Sequence, residues 1–167
     1  MLEKIKKFRE YLDYIERHYN NVQKAWALIK EKCKNLDVDW MTDDARYWQI
    51  ETNVKLHDLS KLSQQEFTQY RQYFFPCKHE VKNKELFKQG WANHKKENLH
   101  HWQSWPKSKS QFKEIYAVEM VIDWVAMSFE FGDTAKAYYE KNKDQIDIPD
   151  WSIKLIYEIF DAIYPDD

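Results

Sequence analysis

Glycine and proline are scarce: the 167 residues contain two of the former and four of the latter. So few turn-formers excludes a sheet protein built on tight hairpins and leaves helices as the main element. Cysteine is scarce too. Cys33 and Cys77 make no close-spaced pair, so neither a thiolate zinc site nor a disulfide framework is expected, and a reduced, cytoplasmic setting fits. No apolar run approaches the ~18 residues of a membrane span, and the first residues show no signal-peptide core. Nor does one charge dominate. With 26 Lys and Arg against 28 Asp and Glu, the net charge of −2 gives no global reason to expect nucleic-acid or acidic-membrane binding.

Charged residues, at 32%, and aromatics, at 17% with eight tryptophans, describe amphipathic helices around a bulky aromatic core. The length suits one domain over residues 1–167. The expected fold is therefore all-α, a single-domain bundle of about seven helices.

Leu2, Ile5, Phe8, Leu12, Ile15, Tyr19, Val22, Trp26 and Ile29 recur at spacings of three and four, predicting one helix from Leu2 to about Lys34 with His18 at its buried stripe. Asn35 to Trp40 interrupts the pattern. Thr42-Asp43-Asp44 then starts a second helix, carrying Ala45, Trp48 and Val54, that delivers His57-Asp58 at its C-terminal end. Ser63-Gln-Gln-Glu66 reads as a capping box opening a helix that runs to Pro76. Asn83 caps the next, expected to continue through Trp91 and His94 toward Trp105, with Pro106 as its stop. Lys107-Ser-Lys-Ser110 is the most linker-like stretch. A helix from about Gln111 to Phe131 ends on Gly132, a short one begins at Asp133, and the last begins at Pro149-Asp150 with Leu155, Ile156, Ile159, Phe160 and Ile163 as its apolar face.

Three features interrupt this background. The segment Ile115–Met127 is apolar nearly all round except for Glu119 and Asp123, spaced i and i+4 on one face. A buried carboxylate needs a cation, a metal or a proton, and a salt bridge to Lys or Arg would serve as well as a metal. On a continuous helix His94, Asn98 and His101 share one stripe flanked by Trp91 and Trp105, while His100 points about 100° away from His101. Neutral imidazole is the commonest protein metal ligand, and the His57-Asp58 dipeptide pairs it with a carboxylate. His18, taken alone, reads as an ordinary core or surface histidine.

The order His18, His57-Asp58, His94, His100-His101 and Asp123 resembles the HD-domain superfamily of metal-dependent phosphohydrolases, an all-helical fold. That resemblance implies metal ligation by His18, His57, Asp58 and Asp123. The run His57-Asp-Leu-Ser-Lys61 is similar to the His-Asp-x-Gly-Lys run of cyclic-dinucleotide members, in which the lysine faces phosphate. Here Ser60 replaces the glycine, and the Gly-Tyr-Pro signature of that group is absent. Trp91-Ala-Asn-His94, Asn98-Leu-His-His-Trp102 and Glu119-Met-Val-Ile-Asp-Trp124 resemble a little-characterised group of phage and bacterial proteins near the same superfamily.

The implied activity is phosphoester hydrolysis by a metal-activated water, on a small phosphorylated substrate such as a nucleotide. One or two ions of Mn, Fe, Co, Ni or Zn suit such nitrogen and carboxylate ligands. Asp58, Lys61, His94 and His101 are the implied catalytic residues. His94, His100 and His101 would hold a second ion or protonate the leaving oxygen, Lys61 and then Lys95 would contact phosphate, and Glu119 would either orient a histidine or serve as salt-bridged structure. Two alternatives stay open: a di-iron oxygenase of the same fold, and a non-catalytic helical interaction protein with a structural or decayed metal site. Oligomeric state is not written in the sequence.

Overall fold

The computed structural model describes residues 1–105 and 113–166. Among them every regular element is helical, with α1 at Leu2–Cys33, α2 at Asp39–Thr42, α3 at Asp44–Leu56 and α4 at Phe67–Phe74. After these come α5 at Lys84–Glu97, α6 at Glu114–Phe131, α7 at Ala135–Asn142 and α8 at Asp150–Ile163. No helix among the described residues is long and apolar enough to cross a membrane. The chain divides into two compact units, one of Met1–Tyr19 with Asp58–Asn98, the other of Asn20–His57 with Leu99–Asp167.

The first unit is built on aromatic edges. Tyr11 meets Phe67 edge-on at 5.1 Å between ring centres and Phe75 at 5.9 Å, and Tyr70 meets Phe87 edge-on at 5.3 Å. Such pairs add about 0.5–1.5 kcal/mol each beyond the area they bury. The helices α4 and α5 pack on each other and on the 3-10 turn Leu59–Leu62. They come so close at Gly90 that an added Cβ would lie 3.0 Å from the Gln69 Cβ, which explains a glycine inside a helix. Arg71, buried, forks onto Glu80, one arm at 2.7 Å, and Glu80 also accepts the Cys77 amide at 2.8 Å.

The second unit is organised around α6, whose Ile115, Val118, Met120, Val121, Ile122 and Val125 are all buried. Each fully buried side chain of this size contributes roughly 1.5–3 kcal/mol. α6 packs against α3, α7 and α8, and α8 buries the five apolar residues its periodicity marks. Gly132 ends α6 at φ 78°, the left-handed backbone that favours glycine. Asp43 caps α3 by accepting the Arg46 amide at 2.9 Å, and Gln23 donates to the Val54 carbonyl near the other end at 2.9 Å.

Several expectations need correcting. The predicted break at Asn35–Trp40 already contains the start of α2. Leu2, Ile5, Leu12 and Tyr19 are exposed although they continue the α1 stripe, and Tyr11 is buried in their place. Trp48 on α3 is 69% exposed. The short helix after Gly132 is capped by Thr134, which accepts the Ala137 amide, and not by Asp133. The largest correction concerns α5, which stops at Glu97. Asn98 caps it, its backbone N–H and its side-chain amide both donating to the His94 carbonyl, at 2.9 and 2.8 Å. An amide side chain that competes for backbone groups ends a helix more readily than it extends one. The predicted continuation to Trp105 is therefore broken, and only Trp102–Ser104 returns to a 3-10 turn. Pro106, Lys107–Ser110 and the predicted helix start at Gln111 lie outside the described residues.

Candidate metal centre

In the first unit Asp58 is the hub. It is the one described non-glycine residue with positive φ, 56°, in a left-handed backbone that Asp tolerates better than most residues and that costs about 1–3 kcal/mol. Its Oδ2 lies 2.7 Å from Lys61 Nζ and 3.4 Å from His18 Nε2, and its Oδ1 lies 3.2 Å from His94 Nε2. All four residues are buried. The Lys61 ammonium also sits 5.3 Å over the Tyr14 ring, which stacks on His18.

His94 is held from its other side. Nδ1 lies 2.8 Å from Glu66 Oε2, and Glu66 accepts from the Ser60 hydroxyl at 3.0 Å and from the Asn93 amide at 2.7 Å. The Ser63–Glu66 capping box is thus not made: Glu66 is the cap residue of α4 without a side-chain cap bond, and its carboxylate turns to His94 instead. Burial works against protonating His94, but the charge of Asp58 and the hydrogen bonds of Asp58 and Glu66 outweigh it and raise its pKa above the ordinary imidazole range.

In the second unit Glu119 takes the corresponding role. Its Oε1 lies 3.1 Å from Nδ1 of both His57 and His100, whose rings stack at 4.3 Å, and its Oε2 accepts from Asn53 at 3.0 Å. His57 Nε2 faces Asp123 Oδ1 at 3.6 Å. Burial opposes ionisation of Glu119, yet His100 and then His57 lower its pKa to about 2. Candidate ligand atoms of His57, His100 and Glu119 all lie within 4.8 Å of one another.

The donor chemistry fits a divalent transition metal. Imidazole nitrogens and carboxylate oxygens suit such an ion, and a ligating histidine almost always gives its other N–H to a carboxylate, as His94, His57 and His100 do. The spacings agree as well. Two ligands about 2.1 Å from a tetrahedral ion stand about 3.4 Å apart, whereas a charge-assisted N–H···O bond closes to about 2.7–2.9 Å. The gaps of 3.4 Å for His18–Asp58 and 3.6 Å for His57–Asp123 exceed an ordinary N–H···O bond and are on the scale of the first geometry, and the 3.2 Å of His94–Asp58 stands at the limit of both.

Of the residues expected from sequence, the first unit gathers His18, Asp58, Lys61 and His94, while the second gathers His57, His100, Glu119 and Asp123. The supposed stripe of His94, Asn98 and His101 does not exist, because α5 ends before two of them. His100, expected to point aside, shares Glu119 with His57, and His101 is only half-buried against the His100 ring at 4.2 Å. Lys95 lies over Trp91 on α5. Glu66, Ser60, Asn93 and Asn53 were not read as site residues. Asn53 had a signal, standing one turn before His57 on α3, whereas Glu66 was hidden by a plausible local role. A cleft of about 480 Å³ in the second unit, lined by Arg46, Gln49, Lys113, Glu114, Ile115 and Trp151, contains none of these groups.

The chain belongs to a family of unknown function, DUF5662, whose model matches residues 7–161. No curated protein and no solved structure matches it.

Proposed function

We propose that this DUF5662 chain is a metal-dependent phosphohydrolase of HD-domain type, acting on a nucleotide or related phosphate ester. The observation that supports it most is the set of histidine–carboxylate gaps near ion-ligand spacing, His94–Asp58 and His18–Asp58 in one unit and His57–Asp123 in the other, with every member but the half-buried Asp123 buried. His18, Asp58 and His94 would hold one ion, and His57 with Asp123 another. Such ions supply a water of lowered pKa and polarise a phosphoryl oxygen.

The chain's own residues do the rest. Glu119 keeps its two imidazoles oriented with Nδ1 inward. Lys61 spends one ammonium hydrogen on Asp58 at 2.7 Å, and an ammonium carries three, so it can hold Asp58 and meet a phosphate oxygen together. The left-handed backbone at Asp58 is strain of the kind that clusters at functional sites.

The test is elemental analysis of the purified protein, followed by a screen of nucleoside mono-, di- and cyclic phosphates with Mn²⁺. Near-stoichiometric transition metal, lost in His57→Ala and in Asp58→Ala, together with turnover of at least one ester, is the expected result. Protein that neither retains nor binds metal rejects the proposal. Deep burial of His18, Asp58, His94 and His100 favours a second reading, a metal that only staples the core. Metal retention with inactivity across the panel would select it, and oxygen consumption by the iron-loaded protein would select oxygenase chemistry.

A further inference from the structure

One buried carboxylate meets a proposed ligand from the side away from the ion. Glu66 is 0% exposed and stands eight residues beyond Asp58. Its carboxylate receives the Ser60 hydroxyl, the Asn93 amide and the side of His94 that carries Nδ1. A carboxylate surrounded by donors accepts only, so the nitrogen facing it carries the hydrogen.

Two rivals for that nitrogen must be eliminated. The Ser60 hydroxyl, 3.3 Å from Nδ1, gives its single hydrogen to Glu66 at 3.0 Å, which leaves the Asn98 amide. Asn98 Nδ2 lies 3.1 Å from His94 Nδ1 and could donate to it if the ring hydrogen stood on Nε2. Both hydrogens of that amide are already spent, one on the Ser60 hydroxyl at 2.7 Å and one on the His94 carbonyl at 2.8 Å. The Nδ1 hydrogen therefore belongs to the contact with Glu66. Nε2 faces Asp58 Oδ1, 3.2 Å away, so a hydrogen it carries there is the one an incoming ion would displace, while the Nδ1 hydrogen stays directed at Glu66.

We infer that Glu66 is a positioning residue which, propped by Ser60 and Asn93, keeps the hydrogen of His94 on Nδ1 and so presents Nε2 as a metal-ligating nitrogen. This rests on the metal-dependent reading proposed above. It assigns Glu66 the role that Glu119 has toward His57 and His100, although the two glutamates come from unrelated positions. Glu66 precedes α4 at a turn, and Glu119 lies inside α6. Without the carboxylate both tautomers of His94 become available, and the fraction with Nδ1 as the lone pair cannot ligate beside Asp58.

The test combines Co²⁺ titration, followed by visible absorption, with nitrogen NMR of histidine-labelled, Zn²⁺-loaded protein. The isosteric Glu66→Gln is expected to weaken Co²⁺ binding by about 10–100-fold, the range for losing the partner of a ligating histidine. The His94 resonances should change from one Nδ1–H species to a mixture. A purely packing role would leave that tautomer signal unmoved. Should Glu66→Gln fail to fold, Asn93→Ala removes one prop from the rim of the network, and about a 2–5-fold loss of Co²⁺ affinity is expected from one missing hydrogen bond. Wild-type Co²⁺ affinity with an unchanged His94 signal in whichever variant folds overturns the inference alone. No saturable Co²⁺ binding by the wild-type protein overturns the metal-dependent reading and this inference with it.

Discussion

The two units solve the same problem with different materials. Each places a histidine between two carboxylates, His94 between Glu66 and Asp58 in the first, His57 between Glu119 and Asp123 in the second. In the first unit a buried ammonium, Lys61, sits directly on the hub carboxylate, and the surrounding core is aromatic. In the second, one glutamate is shared by two stacked imidazoles and the surrounding core is the aliphatic α6. The difference teaches where charge is compensated. Asp58 has the Lys61 ammonium against it in its own unit, whereas Glu119 is held by two imidazole rings and the Asn53 amide.

That comparison can be broken most forcefully at Asp58. Asp58→Ala strands the Lys61 ammonium in a buried setting, and a loss of about 3–5 kcal/mol in denaturant unfolding is expected. Adding Lys61→Met should recover a large part of it, since a buried pair removed together costs far less than one partner alone; no recovery in the double variant would show that the lysine is not the counter-charge. Next in size, Ile122→Ala on α6 tests whether the second unit depends on its aliphatic helix. It should cost about 2–5 kcal/mol, measured in the same way. A smaller effect is expected from Glu119→Gln, which keeps the shape and one acceptor but removes the charge shared by His57 and His100. A loss of about 1–3 kcal/mol fits a buried hydrogen-bonding group left incompletely matched, and a loss as large as that of Asp58→Ala would erase the distinction between the two compensation schemes.

The smallest effect is confined to acid. Arg71 is the main cause holding the Glu80 carboxyl below its ordinary value of 4.5, at about 2. Because the folded state binds the proton more weakly than the unfolded chain, this group stabilises the protein above pH about 4.5, and the contribution disappears as pH falls toward about 2. Wild-type protein should therefore lose its advantage over Glu80→Gln across that window, seen in thermal melts as two curves that converge. Parallel curves would mean that the Arg71–Glu80 pair carries no charge-dependent stability.

Much of the helical framework was legible because its signals are local. The α3 cap at Asp43, the α5 cap at Asn83, the left-handed Gly132 and the apolar face of α8 each follow from a side chain acting within one or two turns of itself. His18, His57, Asp58, Lys61, His94, His100 and Glu119 were all singled out and are all buried. What misled was the assumption that a helical pattern continues. Asn98 ends α5, and this removed His101 from its supposed stripe and placed His100 against Glu119. Ser63 and Glu66 spelled a capping box, but the Ser63 N–H already donates to the Ser60 carbonyl at 2.8 Å, while an imidazole, a hydroxyl and an amide are at hand for the carboxylate.

The sequence by itself determined that this chain is helical, where most of its helices start and stop, and which residue types could bind a metal. Those properties depend on backbone capping and on a period of 3.6 residues, which act over a few positions. Only the tertiary structure decided which carboxylate faces which nitrogen. Glu66 and His94 are separated by 28 residues and Glu119 and His57 by 62, and no local rule reaches across such distances. Pairing of that kind follows from the requirement that every buried polar group find a partner, which is met only once the helices have packed.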